Sequence, residues 1–455
     1  MQFTSTTYFL FLIAVFFIFW LTKPKWRIGL LLLVSGFFYA QAGSKPLILL
    51  AAIAISDFLL ARLIHRSEQA RTRKLLLFTS LLMDVGTLCF FKYAGFFALN
   101  VLLPLGLSFF IFQSIAYVVD VYRKTTAPAR NLLEYCAFLS FFPSIVAGPI
   151  NRTKQLLPQL RNSVPLTAEQ GGQALFLIAL GLTKKIAIAD YLRTNFVDRV
   201  FDFPERYSSV EMLAAIYGYA MQIYADFSGY SDIAIGSALL LGIVLPMNFN
   251  APYRAQDLPE FWRRWHITLS TWLRDYVFFS ITSLRKRSTA LLYVGLIVTM
   301  LLGGIWHGAA WTFVIWGLLH GIGLAVMRGV ETLRKRFGWQ TTNSIWSNAG
   351  AVFVTFHFVC LTWIFFRAES FPQAFAVFHS LGTFTTNTEN LPLPLLLIIA
   401  LTFAAQWLSD NWGNQTQRAF VWLPAPAQAM LLAGLAMGLY LIASSDVVPF
   451  IYARF

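Results

Sequence analysis

A histidine or aspartate inside a long apolar run is costly to bury in a bilayer, so such residues are the first candidates for chemistry. In this sequence they are Asp57, Asp84, Asp120, Asp190, Asp226, Asp232, His307, His320 and His357. Each could equally serve as an interhelical ion pair or hydrogen bond, and Asp120 and Asp190, beside basic residues, suit that structural role best. One stretch stands apart: residues 303–321, GGIWHGAAWTFVIWGLLHG, concentrate glycine, tryptophan and two of the histidines. Glycine permits close backbone approach or a break, and tryptophan gives a rigid wall. His307 and His320 are thirteen residues apart, which on an unbroken helix is about 20 Å of rise and about 140° of rotation. They can share a site only if the helix breaks near Gly304 or Gly308. Otherwise one acts alone, or each is a buried histidine hydrogen-bonded between helices.

Other catalytic patterns are absent. There is no G-x-S-x-G elbow, no G-x-x-x-x-G-K-[ST] loop and no H-E-x-x-H. Residues 227–236, FSGYSDIAIG, place Ser228 and Ser231 beside Asp226 and Asp232 without a histidine, which favours small-residue packing over nucleophilic chemistry. Cys89, Cys136 and Cys360 lie in apolar stretches without metal-type spacing, so neither a disulfide framework nor a metal site is expected.

The elements that must position these residues are membrane helices. Hydrophobic residues make up 57% of the chain and charged residues 12%, about half the charged share of a soluble domain. Apolar runs of spanning length recur from Phe9 to Ile442. Their continuity, without the alternation of a β-barrel strand, predicts an all-α polytopic membrane protein with roughly eleven to thirteen membrane helices, re-entrant pieces included. Residues 138–150 and 309–323, rich in Gly and Pro, are expected half-helices. Basic clusters at 23–27, 62–74, 123–130, 152–161, 285–287 and 328–336 separate the runs and should face the cytoplasm in loops, with the N-terminus outside. The formal charge of +14 is therefore a topology signal and not a nucleic-acid footprint. Residues 1–20 lack a basic n-region and read as a retained first helix. With no internal repeat and no long polar loop, residues 1–455 read as a single domain.

Residues 262–276 differ from their uniformly apolar neighbours. At 100° per residue, Trp262, Trp265, Leu269, Trp272, Leu273 and Tyr276 share one face, and Arg263, Arg264, Ser270, Thr271, Arg274 and Asp275 the other. This predicts one amphipathic helix at a membrane–water boundary, with His266 between the two faces.

Taken in order, residues 104–122, 141–151 (FFPSIVAGPIN), 224–236 (YADFSGYSDIAIG), 248–253 (NFNAPY), 260–270 (EFWRRWHITLS), 303–321 and 449–455 (PFIYARF) resemble the membrane-bound O-acyltransferase family, specifically its bacterial alginate O-acetyltransferase-like branch. The resemblance implies a ring of tilted helices around a central funnel. It also implies passage of an acyl group from a cytoplasmic thioester donor to an extracytoplasmic acceptor. The W-G-x-x-H-G histidine of the family corresponds to His320, the R-W-H histidine to His266 and the W-H-G histidine to His307. Trp265, Trp306, Asp226 and Asn248 stand in the same motifs as supporting residues. After Arg274-Asp275-Tyr276 the chain reads VFFSITSLRKRS where the family commonly has a Pro-Leu-Gly-Gly-like turn.

Such transfer needs a base poised near neutrality to activate the attacking hydroxyl, which an imidazole can supply. His320 is the expected base or orienting group, with His266 stabilising developing charge or positioning the donor. The expected donor is acetyl-CoA or another acyl thioester, with no bound cofactor and no metal. The expected partners are membrane lipid, a periplasmic acetyltransferase and a cell-surface polysaccharide acceptor, direct or indirect, at the bacterial inner membrane. Peptidoglycan O-acetylation and D-alanyl export to teichoic acid are alternatives within the family. A transporter without chemistry is the alternative outside it, disfavoured by the lack of duplicated halves with matching broken helices.

Overall fold

The computed structural model describes residues 1–94, 101–285, 288–339, 344–408 and 410–443. Among them the regular structure is helical throughout. Among the described residues six helices are long and apolar enough to cross a membrane: Ser44–Arg66, Ala70–Tyr93, Thr289–His307, Trp311–Phe337, Ile345–Arg367 and Ala425–Ile442. Thr6–Leu21, Leu107–Tyr122 and Leu393–Ala405 are shorter apolar helices. The all-helical, polytopic reading of the sequence therefore stands. The motif at 449–455 and residues 286–287 of one basic cluster lie outside the described residues.

The chain divides into two compact units, Met1–Leu182 with Tyr230–Met247 and Gln417–Gln428, and Thr183–Gly229 with Asn248–Thr416 and Ala429–Phe455. In the first, Asp57 accepts hydrogen bonds from Ser80 (2.6 Å) and Ser114, and Tyr135 lies 2.8 Å from the Ser114 hydroxyl. Asp84 is hydrogen-bonded to Asp57. Two aspartates flagged by the sequence thus serve each other and tie Ser44–Arg66 to Ala70–Tyr93 and Leu107–Tyr122.

The expected half-helix at 138–150 is not one. The helix Leu132–Leu139 stops, and residues 140–152 run as buried irregular backbone. Protein groups replace the missing helical bonds: the Phe142 amide donates to Ser35 Oγ (3.1 Å) and Asn151 Nδ2 to Ser144 Oγ (2.8 Å). Buried non-helical backbone at membrane depth is tolerated on these terms.

The basic stretch 328–336 is also not a loop. It continues the helix Trp311–Phe337 because Glu331 pairs with Arg328 (2.7 Å) and Lys335 (2.6 Å) at helical spacing. Arg334, Lys335 and Arg336 sit at the C-terminal end of the helix dipole, and Gly338 ends the helix in the left-handed conformation (φ 65°).

Candidate active site

The site in the second unit is built on a glycine-lined hairpin. Thr289–His307 ends at His307, Gly308 is extended, and a new helix starts at Trp311. The break falls at one of the two glycines expected to allow it. The expected half-helix at 309–323, however, is from Trp311 onward the start of a 27-residue helix, since nothing interrupts helical geometry after Trp311. The two helices pack through glycine. A Cβ on Gly304 would lie 2.3 Å from the Phe313 carbonyl oxygen, one on Gly317 2.5 Å from that of Met300, and one on Gly321 2.8 Å from the Ile297 Cα.

This approach brings both histidines against one ring. Trp316 has His307 edge-on at 5.1 Å between centroids and His320 at 5.0 Å. Trp306 lies 4.6 Å from His307 and 6.4 Å from His266. The three candidate histidines are thus strung along two tryptophans. Trp363 stacks on Trp316 at 5.8 Å and lies 5.1 Å from Trp265, closing an aromatic wall.

The amphipathic stretch 262–276 is broken where one helix was expected. Leu258–Arg264 ends, His266 turns left-handed (φ 41°, ψ 55°), and Ile267–Trp272 begins in a new direction before a π-helical turn at Leu273–Phe278. Asn248 makes the kink possible: its carbonyl accepts from the Ile267 amide (2.9 Å), and its Oδ1 accepts from the Thr268 amide (3.3 Å) and hydroxyl (2.6 Å). The expected faces survive the break, with Trp265, Leu269, Trp272 and Leu273 buried and Arg263 and Arg274 exposed. His266 itself is buried, edge-on to Phe227 at 4.6 Å. It lies outside the membrane-spanning helices, and burial pushes its imidazole down to about 3, which keeps it neutral.

The hydrogen bonds of His320 fix its tautomer. Trp262 Nε1, which can only donate, lies 3.3 Å from Nδ1, so Nδ1 carries the lone pair. Nε2 therefore bears the proton and donates to Thr362 Oγ1 at 3.0 Å, while the Thr362 hydroxyl donates onward to the Val359 carbonyl at 2.8 Å. The buried indole N–H of Trp316, beside both histidines, has no hydrogen-bond partner among the described residues. Asp226 plays a different part: it accepts from the buried Lys185 ammonium at 2.6 Å, as Asp190 does at 2.7 Å, and so anchors the segment that carries Phe227 to His266.

Sequence reasoning did not assign roles to Trp316, Trp262, Thr362 or Lys185. Trp316 was within reach, since it stands four residues before His320 and so shares its helix face. Thr362 comes from another helix, and nothing in the sequence pairs it with His320.

The sequence model of the membrane-bound O-acyltransferase family matches residues 127–367, which include all three histidines. The chain is 34% identical to the probable alginate O-acetylase AlgI of Pseudomonas putida over the full length of both proteins. The chain belongs to the membrane-bound O-acyltransferase family. This O-acyltransferase is also 36% identical to the peptidoglycan O-acetyltransferase of Helicobacter pylori over 76% of its own length and 72% of the relative's. To the teichoic acid D-alanyltransferase of Bacillus subtilis it is 31% identical, over 60% and 70% respectively. With its apolar helices and bacterial relatives, the O-acyltransferase is a multi-pass protein of the bacterial inner membrane. Among its described residues no cluster of His, Cys, Asp and Glu could hold a metal ion.

Proposed function

We propose that this O-acyltransferase moves an acetyl group from a cytoplasmic thioester to an extracytoplasmic sugar hydroxyl, for O-acetylation of a cell-surface polysaccharide, with His320 as the base. The observation that carries this reading is the His320 tautomer: its Nδ1 lone pair faces a long, weak bond to Trp262, while Thr362 holds Nε2–H in place. A hydroxyl that displaces the Trp262 N–H can pass its proton to Nδ1 as its oxygen attacks the thioester carbonyl. A C–O bond forms, the C–S bond breaks, and the imidazolium returns the proton to the departing thiolate. The Trp316 indole N–H is positioned to donate to the carbonyl oxygen as it gains charge. His266, neutral and buried, stabilises developing charge or positions the donor, and His307 is a weaker third candidate.

A groove of about 990 Å³, in which Arg263, Arg328, Arg334 and Lys335 outnumber Asp257 and Glu331, supports a phosphate-bearing donor such as acetyl-CoA. Arg328, Arg334 and Lys335 continue the helix of His320, the farther two about 20 Å along it, while Arg263 comes from Leu258–Arg264, so a donor held at the far end needs a long thioester arm to reach the imidazole. The full-length likeness to alginate O-acetylase favours a polysaccharide acceptor over peptidoglycan or teichoic acid.

The test compares His320→Ala with His320→Gln at equal membrane abundance, reading acetyl esters on the exported polymer. Gln keeps a hydrogen bond but accepts no proton near neutral pH, so both variants should lose about 10²- to 10⁴-fold in rate. Near-normal acetylation by the Gln variant would make His320 structural and end the proposal.

A further inference from the structure

A second cavity, of about 610 Å³, lies between the helices Ser209–Leu240, Ile345–Arg367 and Leu393–Ala405, and none of the three candidate histidines lines it. Phe353, Phe356, Phe403 and Trp407 form much of its wall, and its polar lining is the pair Tyr217 and His357. That pair is closed on itself. His357 Nδ1 lies 2.8 Å from the Phe353 carbonyl, which can only accept, so Nδ1 bears the proton and Nε2 the lone pair. The Tyr217 hydroxyl, 2.6 Å from Nε2, must then donate to it. The N–H and O–H of the pair are both used within the wall, and what faces the cavity is hydrocarbon and aromatic surface.

The mouth is continuous with the membrane-facing surface of these helices. Phe353 is 62% exposed, Trp407 50% and Leu396 40%, and all three line the cavity. From Ala349 to His357 the cavity follows one helix for about 12 Å, close to one leaflet's share of a hydrocarbon core about 30 Å thick. Ala349 lies on the end of its helix that follows the basic stretch closing at Arg336, which marks the cytoplasmic side.

The geometry points to a binding site for one hydrocarbon chain of a cytoplasmic-leaflet phospholipid, held in stoichiometric amount and separate from the acyl-transfer site. Leaving the bilayer gains the chain no hydrophobic free energy, because lipid tails are as apolar as the wall. Retention rests on dispersion instead, since an unfilled cavity forfeits the contacts along its lining. The occupant also has a mechanical effect. Phe356 lies 5.4 Å from Tyr253, whose ring lies 6.0 Å from Trp265, so the chain backs the wall behind the R-W-H motif.

Native mass spectrometry of the full-length protein, washed extensively in mild detergent, tests this. The wild type should retain one phospholipid. Ala400→Trp and Ala349→Trp, which place an indole inside the cavity from exposed positions, should each cut that retention at least about fivefold by removing the space for the chain. Leu431→Trp, on the exposed face of Ala425–Ile442, should leave it unchanged. Two variants are used so that one that fails to fold leaves the other to decide. A wild type that retains no lipid, tryptophan variants that retain as much as the wild type, or a Leu431→Trp control that loses as much would each reduce the site to ordinary annular lipid and overturn the proposal.

Discussion

Replacing Gly304 by alanine should disable the enzyme through the geometry of its hairpin, without touching a chemical group. The added methyl would sit 2.3 Å from the Phe313 carbonyl oxygen and about as close as backbone atoms allow to Gly317, at 3.0 and 3.1 Å. Backbone cannot swing aside as a side chain can, so the two helices must part by about 1 Å, an overpacking that costs about 1–3 kcal/mol. Trp316 and His320 ride on the displaced helix, and a misplacement of about 1 Å at a reacting group costs about 10²-fold in rate. The adjacent Gly303 supplies the control, because a Cβ there meets only Leu273 Cδ1 at an ordinary 3.4 Å. Polymer-bound acetyl per unit of membrane protein should therefore fall about a hundredfold in Gly304→Ala and stay near wild type in Gly303→Ala. Equal activity in the two variants at equal abundance would show that the close helix approach does not set the position of His320.

Two further outcomes follow from features outside the site. A cysteine at Gly329, where the nearest atom to a new Cβ is the Tyr293 hydroxyl at 3.7 Å, should resist an impermeant thiol reagent in intact spheroplasts, in a background where the exposed Cys89 is Ser. Labelling from outside would reverse the assigned topology. Lys185→Met strips the buried Asp226 and half-buried Asp190 carboxylates of a shared cation and should destabilise the fold by about 3–5 kcal/mol. Thermal unfolding followed by size-exclusion should show it, with partial recovery when Asp226→Asn is added; unchanged melting would mean the triad carries no stability.

The spanning helices were legible because lipid imposes one rule on every residue of a run, and Ser44–Arg66 or Ile345–Arg367 obey it without interruption. The break after His307 was legible for a similar reason: Gly308 is a local signal for a local event. The kink at His266 was not, since neither Gly nor Pro marks it and the 3.6-residue pattern runs straight across it. What bends the chain there is Asn248, eighteen residues earlier, and a long-range hydrogen bond leaves no trace in periodicity. The same holds for the partners of His320 and for Lys185, which beside Lys184 reads as an ordinary basic pair until Asp190 and Asp226 close around it. The stretch 328–336 misled because charge density suggests a loop, whereas spacing of Glu331 from Arg328 and Lys335 suits a helix equally well.

The left-handed backbone at His266 has a consequence for how this sequence can drift. A residue with a Cβ held there costs the fold roughly 1 kcal/mol or more relative to glycine. Glycine at 266 would relieve that strain but would empty the space the buried imidazole fills against Phe227 and Trp306, and a cavity of that kind costs more than the strain returns. The ring is thus held twice over, by the packing it completes and by the chemistry proposed for it, and drift at this position requires a replacement that satisfies both at once.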